Sequence, residues 1–471
     1  MWPYAHGPAR SSAALGVLGL AGLAGALAAV QPKVALVLVL GVALVALAFL
    51  APVTHLMLLL FVTAVVGYAL QHRLGSHLLP SDALLLTGLV RASVTLMSRR
   101  LEPRRLAAAG LMVAFAVATI LQVLHGLHAG DNSSQAGDEG RALLGFAALL
   151  IAMPILDDAE GRRRLARGLV VVGLVLGLWG LGTWALGISF GENVDVGLRS
   201  SADFATSGHG QLHGGLYAYP VAVIMAATVL LAGHGGRGLR KWSIIGVLTL
   251  NLACLALTYE RTFWLMTVVT LGFVVVKMGR GRRVRAAAAI LGTGVVLLGV
   301  LATASPSTLG AIEDRALSLG QYTSDNSVRY RVVETRHVLA KVKARPLFGW
   351  GLGDTIYWGQ AWEQVPPRQN WFAHNGYLWV TWKVGVVVAA LLFGLLAWAV
   401  ASRAPPERDP RMRSFRVAAQ GGLLVLLLSS ITFPSFNSLT ITAVMGVLMA
   451  VCFMPRVPPP RRAGVRGVPR V

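Results

Sequence analysis

The sequence predicts an all-α fold, a polytopic bundle of transmembrane helices. Of its 471 residues, 55% are hydrophobic and only 13% are charged, which is more apolar surface than a soluble protein can hide. Apolar runs of roughly 18 to 22 residues recur along the chain, and each is long enough to cross a bilayer. Such runs must be helical, because lipid leaves each backbone group to find its hydrogen-bond partner within its own segment.

We predict about fourteen spans, with twelve as the alternative count. The first apolar run is interpreted as a transmembrane helix, because no clear cleavage site of small residues follows it. An even number of spans puts both termini on one side of the membrane. The predicted spans lie at about 12–30, 34–51, 53–70, 80–97, 106–125, 142–157, 168–187, 215–233, 242–259, 262–278, 286–304, 376–401, 416–433 and 438–455.

The distribution of charge sets the predicted orientation. The net charge is +22, but the basic clusters are short and lie between apolar runs, as at Arg162–Arg164. This is the pattern of cytoplasmic loops under the positive-inside rule, and it argues against a nucleic-acid partner. The opposite, non-cytoplasmic side receives loops at about 126–141 with Glu139 and at about 188–214, and one large loop at about 305–375.

No metal or cofactor site is expected. The two cysteines lie in apolar runs, so they offer neither a disulfide framework nor a zinc site. His209 and His213 are at helical spacing, but their glycine-rich context disfavours zinc. The glycine run at Gly349–Gly353 lacks the Lys-Ser/Thr pair of a phosphate-binding loop.

The large loop contains a predicted short helix, roughly Ser327 to Lys343, which ends at the break Arg345-Pro346. Its apolar positions Val332, Val333, Leu339 and Val342 suggest a helix lying along the membrane surface. Loops of this length usually have a function.

Three arginines lie on this loop helix. At about 100° per residue, Arg329 and Arg336 share a face and Arg331 points away from both. A guanidinium group matches phosphate oxygens and keeps its charge, so phosphate binding is one interpretation. The alternative is a solvated basic helix, with Arg331 paired to Glu334 three residues on.

Arg261 stands between two predicted spans at the non-cytoplasmic edge. Since the positive-inside rule disfavours arginine there, it needs a partner. That partner is either an anionic substrate or, as the structural alternative, the adjacent Glu260 or the lipid headgroups.

His374 comes at the entrance of the span at about 376–401, within Ala373-His374-Asn375-Gly376. A histidine there is either a structural residue or a base that is neutral near pH 7. Trp350 and Trp371 belong to a set of aromatic residues in the same loop. They fit an aromatic belt at the membrane interface, or a surface on which sugars stack.

Together these motifs resemble the O-antigen ligase/O-antigen polymerase superfamily of bacterial membrane glycan transferases. The matching stretches are Thr258-Tyr259-Glu260-Arg261, then Asp325 to Arg331 with Arg345-Pro346-Leu347-Phe348-Gly349, and then His374-Asn375-Gly376 with Val384-Gly385. The family's loop arginine lies about fifteen residues before the Pro-Leu-Phe-Gly turn, which selects Arg331 over Arg329. Where the family often has serine before the first arginine, this chain has Glu260.

The resemblance implies an enzyme of the bacterial inner membrane whose active site faces the periplasm. Its donor would be a glycan on polyprenyl pyrophosphate, and its acceptor a saccharide, either lipid A–core or a growing polysaccharide. Arg261 and Arg331 would hold the pyrophosphate, and His374 would take the proton of the acceptor hydroxyl, with inversion and without metal or cofactor. Further candidates for substrate binding are Arg329, Asn375, Tyr259, Trp350 and Trp371.

The predicted organisation has three parts: an N-terminal bundle at 1–240, the ligase-like core at 241–401, and C-terminal spans with a basic tail at 402–471. A transporter or flippase of lipid-linked sugars is the main alternative. It predicts internal repeats, broken helices and charges within spans, whereas the charges in this sequence gather at span edges.

Overall fold

The computed structural model is a bundle of α-helices with two short two-stranded ribbons. It describes residues 32–65, 79–187, 197–199, 211–213, 218–233, 239–277, 310, 313, 326–359, 368–402 and 409–455. The predicted spans at 12–30 and 286–304, and the histidine of the predicted pair at position 209, lie outside these residues.

Fourteen α-helices are described, and two 3-10 turns join α5, α6 and α7. They are α1 (Pro32–Leu50), α2 (Pro52–Val65), α3 (Pro80–Met97), α4 (Pro103–His128), α5 (Ser133–Leu144), α6 (Ala148–Ala152), α7 (Ala159–Ala185), α8 (Ala218–Leu231), α9 (Leu239–Ala256), α10 (Arg261–Lys277), α11 (Asn326–Ala344), α12 (Gly376–Ala401), α13 (Pro410–Ser429) and α14 (Leu439–Cys452). Strand β1 (Gly197–Arg199) pairs antiparallel with β2 (Gln211–His213), and β3 (Ile356–Trp358) with β4 (Arg368–Asn370).

The helices have the length and composition of membrane spans. Among the described residues, four helical segments are long and apolar enough to cross a bilayer: Pro103–His128, Ser133–Asp157, Ala159–Ala185 and Gly376–Ala401. Shorter apolar helices such as Pro52–Val65 and Leu439–Cys452 pack beside them. The chain is therefore an all-α, multi-pass membrane protein, as the hydropathy predicts.

The arginines around the α3–α4 connection lie at one end of the bundle. Arg99 and Arg105, on either side of the α3–α4 connection, both bind the carboxylate of Asp157. The Arg104 guanidinium lies 5.7 Å from the ring centroid of Trp398, near the end of α12. The N-terminus of α4 therefore lies beside the C-terminus of α12, and the first residues of α12 lie at the opposite end of the bundle.

A loop inserts into the bundle where α12 is broken. Gly385 has φ 77°, which interrupts the helix after its first ten residues. Broken helices in a membrane need other partners for the freed backbone groups. The loop at 346–351 supplies them through three bonds: Val386 N–H to Pro346 O (2.8 Å), Trp350 N–H to Trp382 O (3.1 Å), and Gly351 N–H to Lys383 O (3.0 Å).

The glycine run in this loop is required by close packing. Gly349, Gly351 and Gly353 all have positive φ, at 68°, 96° and 95°, a conformation that favours glycine. A Cβ on Gly351 would lie 2.8 Å from the Cα of Gly126 in α4. The run is thus the contact surface between the loop and the helices, which gives these glycines a structural role.

A buried ion pair between α5 and α12 also binds the backbone at the end of the inserted loop. The Lys383 ammonium lies 2.6 and 2.8 Å from the two carboxylate oxygens of Glu139, and both side chains are fully buried. Glu139 also accepts the Gly353 N–H at 2.8 Å, and Lys383 donates to the Asp354 carbonyl at 2.6 Å. The expectation that charges gather only at span edges is therefore wrong for Lys383, which lies within α12, and Glu139 lies inside α5 instead of a solvated loop.

Removing one partner of this pair should destabilise the fold strongly. We expect Lys383→Met to lower the free energy of unfolding by about 3–5 kcal/mol, because it leaves the Glu139 carboxylate buried without its counter-charge. Thermal unfolding of the purified protein in detergent would measure the loss. The double variant Lys383→Met/Glu139→Gln keeps an acceptor for Gly353 and removes the stranded charge, so it should recover part of the stability. A single variant as stable as the wild type would contradict the prediction.

Candidate functional site

His374 lies in the loop that enters α12, at the end of the bundle away from the arginines of the α3–α4 connection. Helix α12 begins directly after Asn375. The Oδ1 of Asn375 accepts the Leu378 N–H at 3.1 Å and so caps the first turn. The Gly376 N–H donates to the Ser430 carbonyl at 2.8 Å, which fixes the loop against the end of α13. The candidate substrate-binding residue Asn375 therefore also has a structural role, and the backbone beside His374 is held at two points.

A buried carboxylate from α11 binds His374 at two atoms. Glu334 accepts the His374 backbone N–H at 2.8 Å, and its oxygens lie 3.0 and 3.2 Å from Nδ1. Its side chain is 1% exposed, while that of His374 is 35% exposed. With an ionised carboxylate, which only accepts hydrogen bonds, this contact fits the tautomer that has its proton on Nδ1 and leaves Nε2 as the basic nitrogen.

This contact corrects the structural alternative for Arg331. That alternative pairs Glu334 with Arg331, three residues earlier on the same helix. Instead the carboxylate binds His374, 40 positions along the chain. The Nε of Arg331 is buried, and it has no hydrogen-bond acceptor among the described residues. A buried guanidinium donor in that state is suited to an anion brought by a substrate.

Arg329 and Arg331 of the loop helix differ in their surroundings. Arg329 is exposed, whereas Arg331 is half-buried. At 100° per residue, Arg331 lies only about 20° from Val338 and 60° from Glu334, and both of these side chains are buried. Arg331 is thus the arginine on the packed face of α11, next to the carboxylate that holds His374.

The apolar pattern of α11 is only partly the predicted one. Val333 is buried, but Val332 and Leu339 are exposed. The buried stripe runs instead through Val333, Glu334 and Val338. Exposed apolar side chains are what a helix at a membrane surface presents to lipid, so that placement of α11 stays a prediction.

Arg261 is the first residue of α10, and the backbone before it is strained. Tyr259 has φ 52° and is 2% exposed; the left-handed region costs a residue with a Cβ roughly 1–2 kcal/mol. The Glu260 carbonyl accepts the N–H groups of Phe263 and Trp264 at 3.0 and 3.3 Å, which starts the helix directly after the turn. Strain of this kind persists where surrounding packing fixes it, and it clusters at functional sites.

The connection between α13 and α14 joins the two candidate regions. The ring of Phe433 lies 5.4 Å from that of Phe263 in the first turn of α10. Three residues earlier, Ser430 accepts the N–H of Gly376 at the start of α12. Arg261 and the histidine before α12 therefore flank the same connection, at the same end of the bundle.

The two candidate tryptophans are placed differently. Trp371 is 44% exposed, its ring lies 6.3 Å from Phe372, and Phe372 lies 5.5 Å from the imidazole of His374. The exposed Trp371 ring and the half-buried Phe372 ring thus form a row beside the imidazole, where the flat face of a sugar could stack.

Both the indole N–H and the ring of Trp350 are in contact with other groups of the protein. Its Nε1 donates to the Lys341 carbonyl at 2.8 Å, and the cations of Lys341 and Arg345 each lie 4.1 Å from its ring centroid. Cation–π contacts of this kind fix a ring in place. Its position is therefore better explained by the packing of the inserted loop than by contact with a sugar.

Comparison with known families identifies the region that contains these residues. A family model described as O-antigen ligase matches residues 246–393. This region belongs to the O-antigen ligase family. The match includes Tyr259, Arg261, all of α11 and His374, and it confirms the resemblance drawn from the motifs. No curated protein matches the chain.

The chain is thus a multi-pass membrane protein with an O-antigen ligase domain, of the ligase or polymerase type that serves polysaccharide biosynthesis. Substrates of this family are lipid-linked and saccharide glycans in a membrane. A fold alone does not fix a reaction, so the roles of individual residues are argued from their geometry.

Proposed function

We propose that the protein transfers a glycan from polyprenyl pyrophosphate to a hydroxyl group of a saccharide acceptor, at the periplasmic face of the bacterial inner membrane. The observation that carries the proposal is the bond between the buried Glu334 carboxylate and Nδ1 of the half-exposed His374. It leaves Nε2 as a base on the accessible side of the ring. The core of the activity is assigned to residues 241–401, with spans on either side.

The transfer follows from this arrangement in one displacement. Nε2 of His374 takes the proton of the acceptor hydroxyl as its oxygen attacks the anomeric carbon. The bond from that carbon to the pyrophosphate oxygen breaks, and polyprenyl pyrophosphate leaves with the electron pair. Arg331 and Arg261 stabilise the negative charge that develops on it. Attack from the face opposite the leaving group inverts the anomeric carbon, and no step calls for a metal.

The proposed orientation rests on the two ends of the bundle. The end with Arg99, Arg105 and Arg104 is assigned to the cytoplasm by the positive-inside rule. His374 and Arg261 lie at the other end, so they face the periplasm, where lipid-linked glycans are presented in the outer leaflet. Trp371 and Phe372 are assigned to the acceptor sugar, because they lie beside the base.

One observation favours the transporter alternative, and the structure gives it another explanation. The break at Gly385 and the charged Lys383 within α12 are features that transporters share. Here the break is filled by the backbone of the loop at 346–351, and Lys383 is neutralised by Glu139. Both features therefore anchor the loop instead of lining a path.

The proposal is tested by glycan transfer with the purified protein in detergent micelles. A micelle does not separate two aqueous compartments, so transport cannot be observed in it. A transporter forms no glycosidic bond there, whereas a transferase does. We expect one polyprenyl pyrophosphate released for each glycosidic bond formed, with lipid A–core, oligosaccharide and protein offered as separate acceptors. The acceptor that grows distinguishes ligase, polymerase and protein glycosylation. Movement of the donor across liposomes without any product in micelles would overturn the proposal.

A further inference from the structure

We infer that Glu334 is a positioning residue for His374: its carboxylate holds the imidazole in the tautomer with a basic Nε2 and stabilises the positive ring formed during transfer. The inference rests on the proposed function, because it assigns a role within the same site. It was not evident from the sequence, where Glu334 stands only as a possible partner of Arg331.

The geometry fixes the ring as well as its proton. Glu334 binds both the backbone N–H and the ring Nδ1 of His374, at 2.8 and 3.0 Å. The edge of Phe372 packs at 5.5 Å between centroids. Two bonds from one carboxylate to one residue restrict rotation about the side-chain torsions. The accessible side of the imidazole is therefore the side that carries Nε2.

A structural role alone does not explain why residue 334 is a glutamate and not a glutamine. A carboxylate that is 1% exposed carries a large desolvation cost. Glutamine in its place would accept the same backbone N–H without that cost. The charge becomes useful when Nε2 has taken the acceptor proton, because the imidazolium then has a negative partner 3.0 Å away. In this step the proton stays on the imidazole, and it leaves Nε2 for solvent after transfer.

The nearest experiment compares Glu334→Gln with Glu334→Asp in the micelle assay. Glutamine keeps the size and an acceptor for the backbone N–H, but it loses the charge and can donate to Nδ1, which favours the wrong tautomer. Partners that orient a metal-binding histidine contribute about 10- to 100-fold in affinity or activity, and we take the same range for a carboxylate that orients a base. We expect a fall of that size in kcat with the KM for the donor unchanged, since binding of the donor does not involve the ring's tautomer. Aspartate keeps the charge on a shorter stem, so it should retain part of the lost rate.

The control and the decisive comparison use two further variants. Lys343 lies on the exposed side of the same helix. The control variant Lys343→Gln removes one charge there and should leave kcat unchanged. In a His374→Ala background, Glu334→Gln should cause no further loss, because a positioning residue acts only through its partner. A wild-type kcat in Glu334→Gln, an Asp variant slower than the Gln variant, or losses that multiply in the double variant would each overturn the inference.

Failure of the proposed function has a different signature. If the wild type forms no product, or if His374→Ala keeps the full rate, the base assignment itself is wrong. If Glu334→Gln does not accumulate in the membrane, the comparison of Glu334→Asp with the wild type decides: a reduced kcat at constant KM supports positioning, and an unchanged kcat contradicts it.

Discussion

Replacing His374 with alanine should abolish glycan transfer while the protein still inserts and accumulates normally. A positioned general base contributes about 10²- to 10⁴-fold to the rate, so the remaining activity should fall near the background. The backbone N–H of residue 374 still donates to Glu334, and the cap by Asn375 is untouched. The loop that enters α12 therefore keeps its shape. Transfer rates in micelles and the yield in the membrane fraction measure the two halves of the prediction.

The matched control is His337→Ala, which removes a half-buried imidazole from α11 close to Glu334. It should leave the transfer rate little changed. A fully active His374→Ala variant would remove the base from the mechanism. An inactive variant that also fails to accumulate would point to a structural role for the imidazole instead.

The features of the fold that the sequence predicts are those set by local patterns. The apolar run predicts helix α12 at about 376–401, and it is Gly376–Ala401 in the structure. The loop helix is predicted at roughly Ser327 to Lys343, and it is Asn326–Ala344. Hydrophobic runs and a proline break act within one segment, so they can be recognised without knowing what the segment packs against.

Pairings between distant segments leave no such pattern. Lys383 and Glu139 are 244 positions apart, and Glu334 and His374 are 40 apart. Each of these carboxylates has a nearer cation in the sequence, and helical spacing alone offers Arg331 as a partner for Glu334. The choice between partners is made by tertiary packing, because burial puts Glu334 beside the loop before α12.

The sequence predicts which residues belong to the candidate site, but not what each of them contacts. Their identity comes from motif order, and the family match covers them. The inserted loop shows the limit of that reasoning. A glycine run and a tryptophan within a motif suggest ligand contact, yet Gly351 packs on Gly126 and the Trp350 ring holds two cations. Conformation and neighbours, which a sequence does not display, decide whether such residues meet a substrate.

The second large effect is expected at Arg331, where lysine should not replace arginine. Lysine keeps the positive charge but loses the planar fork that binds two phosphate oxygens. Removing one positioned donor to a developing negative charge costs about 10²- to 10³-fold in kcat. We expect Arg331→Lys to fall in that range, because the Nε of Arg331 is a buried donor with no acceptor among the described residues. Initial rates at saturating donor would measure it.

Arg329→Lys is the matched comparison, since it makes the same substitution two residues away on the exposed side of α11. Its effect should be milder and should appear in KM, because an exposed arginine meets the donor before and during reaction alike. Equal losses in both variants would mean that the helix contributes only a general positive field. A wild-type rate in Arg331→Lys would mean that Arg331 contributes only its positive charge and not its planar fork. A larger loss in kcat for Arg331→Lys would place the leaving pyrophosphate on the packed face of α11, beside the carboxylate that holds the base.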